Sequence, residues 1–514
     1  MSIRRRRLWI FFWAGAICLW IVTTAILIRR EFFLPVLPTN DNLAIGRTSR
    51  TNTWMGVYMG GEKVGYSRFQ RNSDSDKPGM AVHRNRTRLR LNLLGSPVEL
   101  ETSSKTILDE TGRPTEFSFT LDSSGHKLAV EGKATGSGLD VRIDTGGEIY
   151  EKTIEMGGEF AFFDRFSLGI AIPKMEKHRT YALDVFEPLS ASAQKARITY
   201  VGDEELAILG KTDSFAKVEI DIQGAKSNAW LDRNGDVVKL ATIMGLEMVR
   251  EPPNEAISAI TDGAESAGPL MDMAALSSVP VGTKIEEARR VEYMKVRITG
   301  ISPADYDLDG GTQRVTDSIK GIVEIGPVSL PAGPPALSVA DGPDPELLKP
   351  SVFVQSENSR IVETAASIVG DEPDPWVAAV KIARWVNANV EKRIVASVPS
   401  AVDVLNTLEG DCNEHTVLFT ALARAAGVPA RTAIGLVYSE DYGDKSFYYH
   451  AWPEVFVGAW VPMDPTFGQD IADATHVRLI NGDIDQWIGI LQILGQINIE
   501  VLEVKYAPEL TVAQ

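Results

Sequence analysis

The sequence predicts an α+β protein with an N-terminal transmembrane helix, a β-rich middle and a C-terminal domain of helices followed by strands. Three observations support this fold class. A long apolar run lies near the N-terminus, short alternating runs fill the middle, and helical periodicity begins after Pro350. Helices that precede antiparallel strands, rather than alternate with them, are typical of α+β domains.

The composition is that of an ordinary globular protein. The chain has 514 residues, 44% hydrophobic and 24% charged, and ~150 residues per domain would give about three domains. Its net charge is −17, and because nucleic-acid binding needs a basic surface, nucleic acid is not expected as a partner. The two cysteines, Cys18 and Cys412, suggest neither a disulfide framework nor a cysteine zinc site.

The apolar run from Leu8 to Ile28 contains no charged residue, and about 20 such residues cross a bilayer. Arginines at positions 4–7 precede it and only Arg29 and Arg30 follow it, which favours a cytoplasmic N-terminus. A cleaved signal peptide is the alternative, but its apolar core is usually roughly 7–15 residues and ends in small residues. We therefore expect a single-pass inner-membrane protein, anchored in lipid by this run, with its bulk in the periplasm.

Changes in pattern divide the rest of the chain. The β-rich part is expected to be a twisted sheet or an open barrel, and Gly60-Gly61 marks a hairpin turn within it. The expected segments are a cytoplasmic tip and anchor (1–30), a tether (31–50), a β-rich domain (51–255), a linker (256–282), a small β segment with a proline-rich connection (283–350), an α+β domain (351–480) and a C-terminal extension (481–514).

Local signals place four helices after Pro350. Gly370 ends the first, and Asp374-Pro375 begins the second. Ser400 is a candidate N-cap for the third, and Gly427 ends the fourth, which follows Cys412 with one apolar face. Upstream, the stretch from Asp305 to Gly310 opens like a calcium loop but lacks the closing Glu, so a solvated turn is favoured over a cation site.

Cys412 has the position that thiol catalysis requires. It would lie at the N-terminus of a buried helix, where the positive end lowers the thiol pKa from its ordinary value of ~8.5. The exposed amides there could also receive a developing oxyanion. The alternative is that Cys412 is merely a small buried apolar residue, as free cysteines often are.

His450 and Asp464 complete a candidate catalytic triad. A thiol nucleophile needs an imidazole to take up its proton, and a carboxylate to orient that imidazole. The two residues are an even number apart, so they can share a face only if the loop between Glu454 and Trp460 is odd in length or contains a bulge. The alternatives are a strand-end polar residue for His450 and a turn former for Asp464.

Four further residues are expected near the site or in contact with its oxyanion: Asp411, His415, Trp452 and Glu454. His415 is a rival base one turn after Cys412, but no acid is evident to orient it, so it is expected on the helix surface or supporting the site. Trp452 is expected in the core or the cleft wall. Arg431 is expected to pair with a carboxylate near the site.

Five short motifs follow one another in the region from roughly Glu357 to Gln469. In their order and spacing, this region resembles the transglutaminase-like core of bacterial proteins. The resemblance implies a papain-like fold and acyl transfer through a thioester to water or an amine, without metal or cofactor. Glu454 matches the acidic residue that usually follows the family's His-x-Trp. The motifs are Ala401-Val402-Asp403-Val404-Leu405, Gly410-Asp411-Cys412, Gly427-Val428-Pro429-Ala430-Arg431, His450-Ala451-Trp452 and Asp464-Pro465-Thr466.

We therefore expect a membrane-anchored cysteine hydrolase or acyltransferase that acts on peptide or protein amides outside the cytoplasm. Hydrolysis is favoured over cross-linking because no amine pocket is readable in the sequence. Two alternatives stay open: a transglutaminase-like scaffold that binds without turnover, and an envelope assembly factor whose β-rich domain is the working part. The sequence names neither the substrate nor the oligomeric state.

Overall fold

A computed structural model of the chain describes residues 34–35, 50–73, 80–93, 96–123, 126–136, 138–146, 149–156, 160–162, 175–222, 224–242, 245–258, 278–328, 330, 344–395, 398–440, 445–482 and 495–508. The predicted anchor at residues 8–28 lies outside this part of the chain. Among the described residues, no helix combines the length and the apolar character needed to cross a bilayer.

The β-rich middle forms one large sheet, antiparallel except where β9 meets β10. Its order is β8 to β1 followed by β15 to β9, so consecutive strands are neighbours except β8 and β9, which lie at the two ends of the order. The predicted hairpin is confirmed, since Met59 pairs with Glu62 across Gly60-Gly61. The strands are β1 Thr51–Met59, β2 Glu62–Ser73, β3 Ala81–Leu93, β4 Ser96–Leu108, β5 Pro114–Ser123, β6 His126–Ala134, β7 Gly138–Asp144, β8 Ile149–Glu155, β9 Phe160–Phe162, β10 Thr180–Glu187, β11 Ser192–Ile208, β12 Lys211–Ile222, β13 Ala225–Leu231, β14 Val237–Thr242 and β15 Leu246–Arg250.

Two smaller sheets follow the short helix α1 (Pro253–Ala256). The first, called here the outer sheet, has the order β18-β19-β17-β26 and draws its last strand from the C-terminal extension. The second, the site sheet, has the order β16-β23-β22-β25, with β24 also paired to β23. Their strands are β16 Val279–Pro280, β17 Val291–Thr299, β18 Gln313–Asp317, β19 Ile322–Ile325, β22 Ala430–Ser439, β23 Ser446–Phe456, β24 Trp460–Pro462, β25 His476–Gly482 and β26 Asn498–Tyr506.

The four predicted helices are present, and their end signals are confirmed. The Asp374 and Ser400 side chains accept hydrogen bonds from the first-turn amides of their helices. Gly370 and Gly427, which end two helices, take positive φ angles of 64° and 78°. The helices are α2 Ser359–Val369, α3 Pro375–Asn389, α4 Ala401–Thr407 and α5 Cys412–Ala425, and the two-residue strands β20 Glu391–Lys392 and β21 Glu409–Gly410 pair in parallel between them.

Helix α5 lies at the centre of the C-terminal domain. We expected one apolar face, but its side chains are buried all round from Glu414 to Arg424. One apolar cluster joins α2 to α5 with β5 to β7 of the large sheet and with one face of the site sheet. A second cluster fills the space between the other face of the site sheet and the outer sheet. The site sheet is therefore covered on both faces, and polar groups at its core need partners within the protein.

The loop from Asp305 to Gly310 is held by protein groups. The carboxylates of Asp307 and Asp309 accept backbone N–H groups of Asn481 and Val315, each at 3.0 Å. The backbone carbonyls of Asp307 and Gly310 accept from the Arg478 guanidinium at 3.0 and 2.9 Å. These contacts are those of a hydrogen-bonded turn docked on an arginine.

Candidate active site

Helix α5 begins at Cys412 with two acidic residues around its first turn. The Asp411 carboxylate accepts the Asn413 N–H at 3.0 Å, and the Glu414 carboxylate accepts the Asp411 N–H at 2.8 Å. This reciprocal arrangement is a capping box. It satisfies amides of the helix N-terminus, and it places two negative charges at the positive end of the helix.

The structure brings the first turns of α5 against strand β23 at Ala451, the residue that follows His450. The Thr416 hydroxyl, one turn after Cys412, donates to the Ala451 carbonyl at 3.0 Å, and the Ala451 N–H bonds to the Cys412 sulfur. The Cys412 residue keeps part of its surface exposed. The thiol therefore lies beside the backbone that carries the candidate base.

The predicted activation of Cys412 by the helix N-terminus is wrong. Burial of the sulfur raises the pKa of the thiol well above its ordinary value, and the Asp411, Glu414 and Asp464 carboxylates raise it further. Only the Ala451 N–H acts in the opposite direction. Burial of the sulfur is the main reason for this difference, and the capping-box carboxylates add to it by offsetting the positive helix end. At neutral pH the free protein holds a thiol, not a preformed thiolate.

His450 is fixed from three sides. Its Nε2 donates to Asp464 Oδ2 at 2.9 Å. Its ring stacks between Phe467, with centroids 5.0 Å apart, and Trp452, with centroids 6.0 Å apart. This arrangement leaves Nδ1 as the ring nitrogen available for proton transfer.

The predicted odd loop before Asp464 is confirmed. Phe456 pairs with Trp460 across three residues, 457 to 459, so β23 and β24 keep an even register. Asp464 follows β24 in an isolated bridge with Gln469 and is fully buried. The loop length thus permits His450 and Asp464 to lie on the same side of the sheet.

Asp464 is held as a carboxylate by three N–H groups. Oδ2 accepts from His450 and also from His476 Nε2 at 3.0 Å, while Oδ1 accepts the Phe467 N–H at 2.9 Å. Burial alone would raise the pKa of Asp464, but the charges and hydrogen bonds of the two imidazoles outweigh burial and hold that pKa well below its ordinary range. Asp464 therefore stays charged throughout the neutral pH range.

His476 is a site residue that the sequence interpretation missed. It is fully buried, and its Nδ1 contacts the Asp473 carbonyl at 3.0 Å and the Asp473 carboxylate at 3.5 Å. Burial alone would lower its pKa, but Asp473 and Asp464 raise the pKa of His476 to about 9. One signal was available: His476 and Arg478 alternate with apolar residues in β25, which puts two polar side chains on one buried face.

The other predicted residues take supporting positions. His415 was expected either on the helix surface or supporting the site, and the structure shows the second position: it is fully buried, and its Nδ1 donates to the Asp411 carbonyl at 2.7 Å. Trp452 lies in the core against His450. The pairing predicted for Arg431 is confirmed, because it donates to Glu454 at 2.7 and 2.9 Å, and Arg478 donates to the other Glu454 oxygen at 3.0 Å.

One group of side chains among the described residues has the spacing of a cation site. Ligand atoms of His450, Asp464 and His476 lie within 4.8 Å of one another. Both imidazoles, however, donate to the same Asp464 oxygen. Hydrogen bonding alone accounts for this spacing.

Comparisons with known proteins identify a family model that matches part of the chain. Residues 362–465 match the model of the transglutaminase-like superfamily. An uncharacterized protein of Mycobacterium leprae is 24% identical over 137 residues, which are 25% of this chain and 47% of the relative. The match therefore spans about half the length of that relative.

Similar solved structures include two candidate proteases and a β-barrel-like protein. A candidate cysteine protease of Cytophaga hutchinsonii is 18% identical and covers 42% of this chain and 90% of its own, with a TM-score of 0.29. A candidate protease of Parabacteroides distasonis is 10% identical, covering 56% and 69%, with a TM-score of 0.18. A β-barrel-like protein of unknown function from Brucella abortus is 13% identical, covering 40% and 97%, with a TM-score of 0.31.

The Cys412 helix, the strand that bears His450 and the loop that bears Asp464 all fall within the matched residues. The chain thus contains a transglutaminase-like domain at residues 362–465.

Proposed function

We propose that this protein is a thiol acyl-transfer enzyme in which Cys412 is the nucleophile, His450 the general base and acid, and Asp464 the residue that orients His450. The observation that carries the proposal is the bond from His450 Nε2 to buried Asp464 Oδ2. It fixes the tautomer and leaves Nδ1 as the nitrogen that can exchange a proton with the thiol beside β23.

The raised thiol pKa shapes the mechanism. Because Cys412 is protonated at rest, His450 would remove the proton as sulfur attacks the amide carbonyl, rather than hold a preformed ion pair. His450 would then return that proton to the leaving amine, and a thioester would form on Cys412. Water would attack the thioester with His450 as base, releasing the acid and restoring the thiol.

We further propose that the substrates are peptide or protein amides and that water is the usual acceptor. The enzyme would act outside the cytoplasm, tethered through the apolar run from Leu8 to Ile28. The sequence of that run supports the anchor. No cofactor enters the proposed chemistry, because the thiol, the imidazole and water supply every group that is transferred.

One observation favours a second candidate, the binding scaffold without turnover. The carboxylates around Cys412 disfavour its thiolate, as would suit a residue kept for packing. In that case a peptide would bind beside α5 and leave unchanged.

The two candidates differ in what they do to a peptide mixture. The full-length protein and its Cys412→Ala variant would each be incubated with a defined peptide library, and new termini would be identified by mass spectrometry. The enzyme produces cleaved or acyl-transferred products that the variant does not. If both proteins retain the same peptides and neither produces new termini, the scaffold is correct and the enzyme proposal fails.

A further inference from the structure

The carboxylate that orients His450 has a second imidazole bound to the same oxygen. His476 Nε2 lies 3.0 Å from Asp464 Oδ2, and His450 Nε2 lies 2.9 Å from it. The simplest proposed triad needs only one imidazole on this carboxylate. The second imidazole, that of His476, lies outside the residues that match the transglutaminase-like model, because the match ends at residue 465.

The surroundings of His476 define its protonation. Nε2 faces a carboxylate oxygen, and Nδ1 faces the backbone carbonyl and the carboxylate of Asp473. Since both ring nitrogens meet only acceptors, both must carry a proton for each contact to be favourable. The geometry therefore describes an imidazolium buried inside the domain.

This cation belongs to an alternating chain of charges. Arg289, in the 3-10 turn before β17, pairs with Asp473 at 2.9 Å, and its guanidinium also lies over the Phe467 ring at 4.4 Å. The charges alternate from Arg289 through Asp473 and His476 to Asp464, and His450 adjoins this last carboxylate. Glu454 and Arg478, which line one small cavity with His476, pair with each other.

We propose that His476 is a positioning residue for the reaction: as an imidazolium it holds the Asp464 carboxylate against His450 Nε2 and shares its negative charge. This inference depends on the function proposed for Cys412. Because His476 also contacts Asp473, which pairs with Arg289, the side chains that support the reaction extend beyond the residues that match the family model. Through its charge, His476 limits how strongly Asp464 draws a proton onto His450, so that a neutral His450 can act as a base toward a protonated thiol.

Two features of His476, its positive charge and its N–H donor to Asp464, can be tested separately. His476→Gln keeps an N–H donor for Asp464 but removes the positive charge. His476→Leu removes both. Without the positive charge of His476, the negative charge of Asp464 would act on His450 alone and favour its protonated form. As pH falls, His450 would then stop serving as a base at a higher pH than in the wild type. Without the donor, the carboxylate would also lose its orientation.

The test measures alkylation of Cys412 by iodoacetamide between pH 6 and 10, in full-length protein with Cys18→Ser so that a single thiol remains. His476→Gln should slow alkylation at neutral pH and move the acidic limb of the profile upward, with recovery at higher pH. His476→Leu should be slower at every pH, on the order of ten- to a hundredfold. His83→Gln is the matched control, because His83 is equally buried but lies in the large sheet; its rate should stay within about twofold of the wild type.

A second measurement does not depend on the reactivity of the thiol. Nitrogen NMR of the 15N-histidine-labelled Cys412→Ala protein should show, at neutral pH, the signal of a ring with protons on both nitrogens that is absent in the His476→Gln double variant. A His476 ring with one proton would overturn the inference.

The outcomes also separate this inference from the proposed function. A wild-type thiol that reacts normally while both His476 variants match it in rate and pH profile would overturn the role of His476 alone. A wild-type Cys412 that is inert at every pH would overturn the enzyme proposal and, with it, this role.

Discussion

An ion pair on the large sheet and an ion pair in the site sheet lie in contrasting surroundings. On the large sheet, pairs such as Arg86 with Glu101 lie across neighbouring strands with side chains 59% and 34% exposed. In the site sheet, the paired side chains of Arg478 and Glu454 are both only 3% exposed. Water screens the first kind of pair and is excluded from the second.

The difference shows where charge determines structure and where it only keeps a surface solvated. An exposed pair can be lost at little cost, because water replaces the partner. A buried pair that loses one partner leaves an uncompensated charge inside the protein. The candidate site is built from the second kind, so the residues that hold its geometry should also be those whose loss destabilises the domain most.

The largest expected effect is that of Arg478→Met. The change removes a partner of buried Glu454 and the donors that hold the Asp307 and Gly310 carbonyls. The free energy of unfolding of the domain should fall by about 3–5 kcal/mol, as measured by urea denaturation. A loss below about 1 kcal/mol would mean that the buried network behaves like a surface pair.

The next effect is a dependence of stability on alkaline pH. Because the pKa of His476 is raised to about 9 in the folded protein, its contribution is fully present below the ordinary value near 6.5 and is lost as pH rises through about 9. That contribution is on the order of 3 kcal/mol. Unfolding free energies at pH 6 and above pH 9 should therefore differ more in the wild type than in His476→Gln.

His83 provides the control for that measurement. Burial holds the pKa of His83 at about 3, so His83 is neutral across the same pH range and His83→Gln should keep the wild-type alkaline loss. Equal alkaline losses in the wild type and His476→Gln would show that His476 is not a buried cation.

A smaller effect is expected at the helix cap. Asp411→Asn keeps a side-chain acceptor for the first turn of α5 but removes a charge that raises the pKa of the thiol. Alkylation of Cys412 should therefore begin at lower pH, with stability nearly unchanged. Asp411→Ala should show the same kinetic change but cost about 1 kcal/mol of stability. An unshifted profile in both variants would show that burial alone sets the thiol pKa.

The smallest effect is expected from Arg86→Gln on the large sheet. Its pair with Glu101 is exposed, so the free energy of unfolding should change by less than about 1 kcal/mol, and salt should reduce the difference further. A loss as large as that of Arg478→Met would remove the distinction between the two regions.

Local signals in the sequence were sufficient for much of the fold. Caps and breakers act over a few residues, so Asp374, Ser400, Gly370 and Gly427 placed the helix ends correctly. The hairpin at Gly60-Gly61 and the odd loop before Asp464 followed from strand geometry alone. These features depend on neighbours in the chain, which a sequence displays.

The parts that could not be predicted depend on distant partners. His476 joins the site through Asp464 and Asp473, and a lone histidine in an apolar strand reads as an ordinary core residue. Arg289 approaches Asp473 from the turn before β17, which is distant in the chain. The thiol pKa was predicted in the wrong direction because the helix end was considered without the burial of the sulfur and without the carboxylates that cap the helix.

The central claim is that His450 acts on the thiol of Cys412, and one measurement tests it most directly. The rate of Cys412 alkylation by iodoacetamide near neutral pH would be compared between the Cys18→Ser protein and the same protein with His450→Ala. The account predicts that loss of the base slows the reaction on the order of a hundredfold. Equal rates in the two proteins would contradict it.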